Sequence, residues 1–305
     1  MNRNFSSHLL AVFLFLLCSQ QLFAQAPDRS PWVFTVDGGA AHQSNADLDD
    51  SDGGFAVDRW FVSAGLDYGW SPRDSIGVSI GTGKSSYDFD ENVTIGDEAP
   101  WEDIEDSRVA LVGRFGFGET GSVIVIPSVR QYREDGASSS DSRTYGFLAA
   151  AFWRINDSLT IGPGLGAFSR LEDSTRVFPI LAIDWDISER WNLSTGRGLA
   201  ASQGPGLTLS YQLNPAWSFG LTGRYEEVEF RLSEEGSVPN GIGRDQALPL
   251  VVSARLQPNP KISVSAFMGV ELGGKLTLMN EVGDTLAESD YDPAALFGAT
   301  FDFRF

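Results

Sequence analysis

Three observations predict the fold class. Apolar and polar residues alternate with a period of two, turn clusters break that alternation at intervals, and tryptophans gather at one set of strand ends. Together they predict an all-β chain folded as a closed antiparallel transmembrane β-barrel of about 14 strands. Composition agrees: 33 glycines and 12 % aromatic residues in 305 lean toward β structure. After the N-terminus no run of 18 apolar residues occurs, which excludes a helical membrane protein. A formal net charge of −19 disfavours a nucleic-acid partner.

The N-terminus carries Arg3, the apolar run Leu9–Cys18 and the small residues of LFAQA. That is the layout of an export signal over 1–26, leaving 27–305 as a single barrel domain. Cleavage falls after Ala24 or Ala26, and Pro27 would obstruct the second. Cys18 is the chain's one cysteine, so the mature chain has no disulfide framework. Leu17 stands where a lipidation motif needs a small residue.

The alternation is clearest in RWFVSAGLDYGW, where Trp60, Val62, Ala64, Leu66, Tyr68 and Trp70 share one face. KISVSAFMGVEL repeats it with Ile262, Val264, Ala266, Met268, Val270 and Leu272. QALPLVVSARL (Leu248 to Leu256) and GPGLTLSYQL (Leu207 to Leu213) follow the same rule. SVIVIPSV (Ser122–Val129) is apolar on both faces and stays ambiguous. Pro249 inside a strand points to a bulge or a local loss of pairing.

Short turns recur at 71–75, 118–121, 156–158, 188–190, 214–216 and 258–260, rich in turn formers. Longer polar segments lie at 42–55, 88–106, 134–141, 171–175, 200–205, 231–245 and 275–293. Alternating the two kinds divides the chain after residue 30 into 14 strands of roughly 10 residues, with 12 and 16 the neighbouring even counts. Both termini then fall on the short-turn side.

Trp32, Trp70, Trp153, Trp185, Trp191 and Trp217 lie beside short turns or open the first strand, where an interfacial girdle belongs. The longer segments hold 26 of the 41 acidic residues but only three basic ones, Arg231, Arg244 and Lys275. The acidity therefore sits on one rim, and the body is close to neutral.

The ending GATFDFRF (Gly298–Phe305), with Phe301, Phe303 and Phe305 alternating, resembles the terminal strand that the barrel-assembly machinery reads in Gram-negative outer-membrane proteins. The resemblance to outer-membrane barrels covers essentially all of 31–305 and implies integral placement in that membrane, beside lipid and lipopolysaccharide. GRYEEVEFRL, ELGGKLTL and the terminal FRF look like a bacterial barrel family to which no function is attached. By size the chain is similar to 14-stranded monomeric pores and long-chain fatty-acid transporters. It departs from the latter in having no long N-terminal plug, since Trp32 already begins a strand.

For chemistry, barrel enzymes that use histidine have only His42 here once His8 leaves with the export signal, with Ser44 and Asp47 nearby in sequence; the bland reading is an exposed loop histidine. The acidic run DLDDSDGG offers Asp47, Asp49, Asp50 and Asp52 as weak calcium ligands, out of register for an EF-hand. Trp101, within the acidic segment 88–106, reads as a contact or lid residue. The informative set is polar and faces inward: Arg59, Asp67, Arg108, Arg114, Arg130, Arg170, Arg176, Asp184, Asp186, Arg224, Glu226, Arg255, Glu271, Asp302 and Arg304. A mid-membrane Arg on the lipid face costs about 2–4 kcal/mol, so these belong in the lumen. They line a porin-like channel for small polar or charged solutes. The alternative is a non-conducting structural or surface-interaction barrel whose ion pairs fill the interior. No enzyme activity and no cofactor is expected.

Overall fold

The computed structural model describes residues 31–172, 174–195 and 206–305; the predicted export signal with Cys18 lies outside them. Among the described residues there are sixteen strand segments and no helix. They are β1 (Trp32–Asp47), β2 (Gly54–Gly69), β3 (Ser75–Phe89), β4 (Asp103–Phe117), β5 (Gly121–Glu134), β6 (Arg143–Asn156), β7 (Leu159–Ser169) and β8 (Thr175–Asp186). The second half has β9 (Trp191–Thr195), β10 (Gly206–Gln212), β11 (Trp217–Arg224), β12 (Glu226–Arg231), β13 (Ile242–Asn259), β14 (Ile262–Met279), β15 (Thr285–Tyr291) and β16 (Ala294–Arg304). β11 with β12, and β15 with β16, are halves of two long strands broken at Tyr225 and at Asp292–Pro293. The wall therefore has 14 antiparallel strands, closed where β1 pairs with β16, Gly38 opposite Phe301.

The wall has the surface of a membrane protein. Its outward positions are apolar and exposed on strand after strand, as in Ile76, Val78 and Ile80, and Val252 and Val264. Such a continuous apolar belt is unstable in water and belongs in hydrocarbon. The six short-turn tryptophans all face outward, from Trp153 at 38 % exposed to Trp32 at 53 %. Trp60 and Tyr145 are exposed at the other edge of the belt. Closure leaves no wall edge in lipid.

Beyond the belt, on the long-loop side, the barrel narrows. Two segments read as polar loops (42–55 and 275–293) are largely strand, and 231–245 gives its two ends to β12 and β13. The tops of β1 to β5 continue upward and join β12, β13, β14 and β15 in a second ring, which we call the collar. β15 meets β1 through the Leu48–Tyr291 bridge, with the Asp49 amide donating to the Asp290 carbonyl at 3.0 Å. β12 leaves β10 and crosses to β5, where Arg231 stands opposite Arg133. The collar has nine strands. A ring of odd number built from alternating strands must contain one parallel seam, and β12–β5 is that seam.

Two bulges make the narrowing feasible. In β1 the register shifts between Gln43 and Ala46, so Ala46 and Leu48 turn inward where odd-numbered residues did so below. In β14, Gly273 adopts φ 56°, a left-handed geometry suited to glycine, and Leu276 and Leu278 turn inward above it. Gly223 pairs with Leu250 and Glu226 with Ala247, so the β11/β12 break falls opposite Leu248 and Pro249. A register shift between Gln246 and Leu248 sits beside this proline, which has no N–H to offer there.

The collar is filled. Phe55, Phe230 and Ile95 are 0 % exposed and pack with Leu276, Leu278 and Trp101. Trp101 meets Phe230 edge-on at 4.8 Å, so it is a core residue and not an exposed contact. A ring of about this strand number has just the interior that side chains fill.

Candidate functional site

Three layers stack along the barrel axis: a lumen inside the wall, an ionic floor beneath the collar, and an opening beside the collar.

In the lumen, strand parity sends Asp67, Arg108, Arg114, Arg130, Asp184, Asp186, Arg224, Arg255, Asp302 and Arg304 to the interior. Several are tied to neighbours. Ser63 donates to Asp37 at 2.7 Å, Asn192 donates to Asp184 at 2.7 Å and Asp186 at 2.9 Å, and Arg255 donates to Ser263 at 3.0 Å. Asp67 lies in the field of Arg114 and Arg304, and Asp37 in that of Arg108. Arg108 and Arg130 are cross-strand partners whose guanidinium groups lie 5.2 Å from the Phe61 ring and 5.3 Å from the Phe168 ring. The lumen is not polar all round. Val112, Ile124, Ile126 and Ala150 form a buried apolar patch on β4 to β6, with Leu148, Phe152 and Ala182 against it. The double-sided apolarity of SVIVIPSV is the sequence trace of that patch.

Arg59 and Glu271 form the floor with Asp245, which the sequence reading did not single out. Arg59 binds Glu271 at 3.1 Å, Asp245 at 3.2 Å and the Gln43 carbonyl oxygen at 3.1 Å. Tyr87 and Tyr291 donate to the two Asp245 oxygens at 2.9 and 3.1 Å. One guanidinium thus holds two buried carboxylates at the junction of wall and collar. These groups anchor the collar rather than line an aqueous wall.

The opening follows from topology. The outer edge of the wall has 14 strands and the collar takes nine, so β6 to β10 stand outside it. Among the described residues no strand joins their tops to β12, and the β7–β8 connection reaches across that gap. Arg170 binds Glu227 and Glu229 on β12, each at 2.9 Å, and Glu172 at 3.1 Å. Arg176 pairs with Glu227, and Arg244 with Glu229 at 2.6 Å. Tyr225 donates to Glu227 at 2.6 Å. Glu226 lies 4.0 Å from Arg224. Arg170 and Arg176 therefore lie above the lumen, in this cluster, and not along it. Burial pushes the Glu227 carboxyl up, but hydrogen bonds from Tyr225 and Arg176 and the nearby guanidinium charges outweigh it, holding it below the usual range. In Glu229 burial outweighs Arg244 and Arg170 and holds the carboxyl above that range.

Arg231, which sequence reasoning placed only among the loop bases, ties the outer end together. It donates to the carbonyls of Asp141 (3.0 Å), Leu171 (2.9 Å), Asn240 (2.7 Å) and Glu281 (3.4 Å), one from each of four connections. Leu171 also packs on Ile242 and Met279.

The remaining candidates are not brought together. His42 binds Asp58 at 2.8 Å on the outward face, whereas the Ser44 hydroxyl accepts from the Ala295 amide at 3.0 Å. A triad of His42, Ser44 and Asp47 is not assembled. Asp47, Asp49, Asp50 and Asp52 form no group of three or more placed to hold a metal ion among the described residues. Phe301, Phe303 and Phe305 lie on the outward face of β16, and the Phe305 amide donates to the Phe34 carbonyl at 2.8 Å.

Neither a family model nor a curated protein matches the chain. Solved structures similar to it include outer-membrane channels and porins. A Pseudomonas aeruginosa FadL homologue aligns over 89 % of both chains at 14 % identity and TM-score 0.45. An outer membrane channel from Pseudomonas putida F1 aligns over 93 % of this chain and 100 % of its own, at 13 % identity and TM-score 0.44. The NanC porin aligns over 87 % and 98 %, at 12 % identity and TM-score 0.37. Likenesses this distant carry no solute or route to this chain; the barrel rests on its own strand pairing and apolar belt.

Proposed function

We propose that the chain is an integral outer-membrane channel for small polar or charged solutes, closed at its outer end in this conformation. The observation that carries this reading is the lumen of the wall. On β9 to β11, β13 and β16 the inward positions are mostly hydroxyl, amide or ionic side chains, among them Asn192, Ser194, Thr208, Thr222, Ser253 and Thr300. Inward polar groups suit water and solute, and their cost in a dry core would be several kcal/mol in total. The acidic long-loop rim faces the outside and meets lipopolysaccharide. Phe301, Phe303 and Phe305 serve the assembly machinery. No step of this role needs a cofactor or a catalytic group.

Single-channel recording from the refolded barrel in a planar bilayer tests it. Discrete current steps whose reversal potential shifts in a salt gradient are the supporting result. A second reading, a non-conducting barrel with a filled interior, draws on the burial of Thr35 and Asp37 (both 0 % exposed) and Ser194 (1 %). Persistent silence from a folded barrel, with and without the outer ion pairs, would establish that reading instead.

A further inference from the structure

The geometry points to Arg170 and Arg176, flanking a β7–β8 connection that stays pinned at Leu171, as a latched side-chain lid, and to the opening beneath it, not the collar, as the way between the outside and the lumen. This rests on the channel reading and adds where solute passes and what holds the passage shut.

The two closures at the outer end differ in kind. The collar is plugged by Phe55, Phe230 and Ile95, all 0 % exposed, above the Arg59 floor. Moving solute through it would require unpacking an apolar core and stranding buried carboxylates. The opening between β12 and the tops of β6 to β10 is crossed by ion pairs: Arg170 to Glu227 and Glu229, and Arg176 to Glu227. The two arginines keep contact with solvent, at 25 % and 41 % exposure, while Glu227 and Glu229 beneath them are 10 % and 11 % exposed. Water and salt reach these pairs from the arginine end, as they do not reach the apolar plug of the collar. Both arginines come from the β7–β8 side and both carboxylates from β12, so every pair spans the opening. Beneath the lid β10 and β11 present Thr208 and Thr222, hydroxyl to hydroxyl at 3.0 Å, which continues a polar path into the lumen. Displacement of the arginines would expose a mouth lined by Glu227 and Glu229, favouring cations and zwitterions over anions.

The test uses the whole barrel, whose only cysteine lies in the export signal, so introduced thiols are unique after cleavage. The double variant Arg170→Ala with Arg176→Ala is expected to raise open probability at least 10-fold. A second pair of changes, Arg170→Cys with Glu227→Cys, bridged by a bifunctional methanethiosulfonate long enough to replace the Arg–Glu span, is expected to abolish current. Reduction should restore it. A readout independent of current is labelling of Ser210→Cys, on the inward face of β10, by a small charged methanethiosulfonate added from the long-loop side. Removing the two arginines should speed labelling at least 10-fold, and the cross-link should slow it as much. A cross-linked barrel that conducts and labels like the parent overturns the lid while leaving the channel reading standing. Faster labelling without current supports the lid and counts against the channel. Unchanged labelling together with silence in all variants overturns both.

Discussion

The collar and the lid close the same end of one barrel by opposite physics. In the collar nine strands shut around aromatic and aliphatic side chains, and a single arginine holds two carboxylates beneath them. At the lid two arginines that water reaches bridge to two largely buried glutamates. Buried apolar area and fully desolvated ion pairs are expensive to undo, whereas pairs open to water at one end cost less to part. A channel that must stay folded while it opens needs both, and the difference shows which part is scaffold and which is moving part.

The contrast can be broken most severely at the floor. Arg59→Ala leaves Glu271 and Asp245 buried without their cation. Loss of one member of a buried pair costs about 3–5 kcal/mol, read as a lower urea midpoint for the refolded barrel. Phe230→Ala empties the centre of the collar and should cost a similar 3–5 kcal/mol, with Trp101 fluorescence shifting red as water reaches it. Gly274→Ala sharpens the comparison, since a Cβ there would lie 2.0 Å from the Tyr291 ring. Displacing that ring removes its hydrogen bond to Asp245, at a cost of about 1–3 kcal/mol. A urea midpoint unchanged from the parent would show that the collar does not depend on this contact. At the lid, Arg176→Ala should change stability by less than about 1 kcal/mol while still raising open probability.

Acid provides the mildest probe. Glu227 titrates below its ordinary value in the closed form, so its contribution to closure is present above that ordinary value, about 4.3, and is lost as pH falls through the lowered one. Glu229 titrates above its ordinary value, so its charge opposes closure at neutral pH and protonation relieves that cost first. Open probability should therefore hold level or fall slightly down to about pH 5 and rise only below about pH 4. A rise beginning above the ordinary carboxylate value would run against the shifts of both glutamates and remove Glu227 from the latch.

Much of the wall was legible from residues alone. The alternation that placed Trp60 and Leu66 outward and Asp67 inward, the even strand number, and the six tryptophans on the short-turn side all appear in the structure. The collar was not legible, although its residues alternate. Leu276 and Leu278 continue the even-numbered outward series of Ile262 to Leu272, and a strict period would have put them in lipid. Gly273 reverses the side, and a glycine amid other glycines gives no warning of which one will adopt positive φ. Arg170 and Arg176 read as two more lumen arginines because parity says which way a side chain faces but not what lies opposite.

By itself, then, the sequence determined the period, the number of wall strands and the two-sided character of each, because side chains alternate across a strand whatever its neighbours are. Only the tertiary structure decided that β12 abandons β10 for β5, that nine strands close where 14 stood below, and that Arg170 from one hairpin meets Glu227 from another. Those outcomes depend on pairing between segments 57 to 243 residues apart, and a local pattern has no means of recording its distant partner.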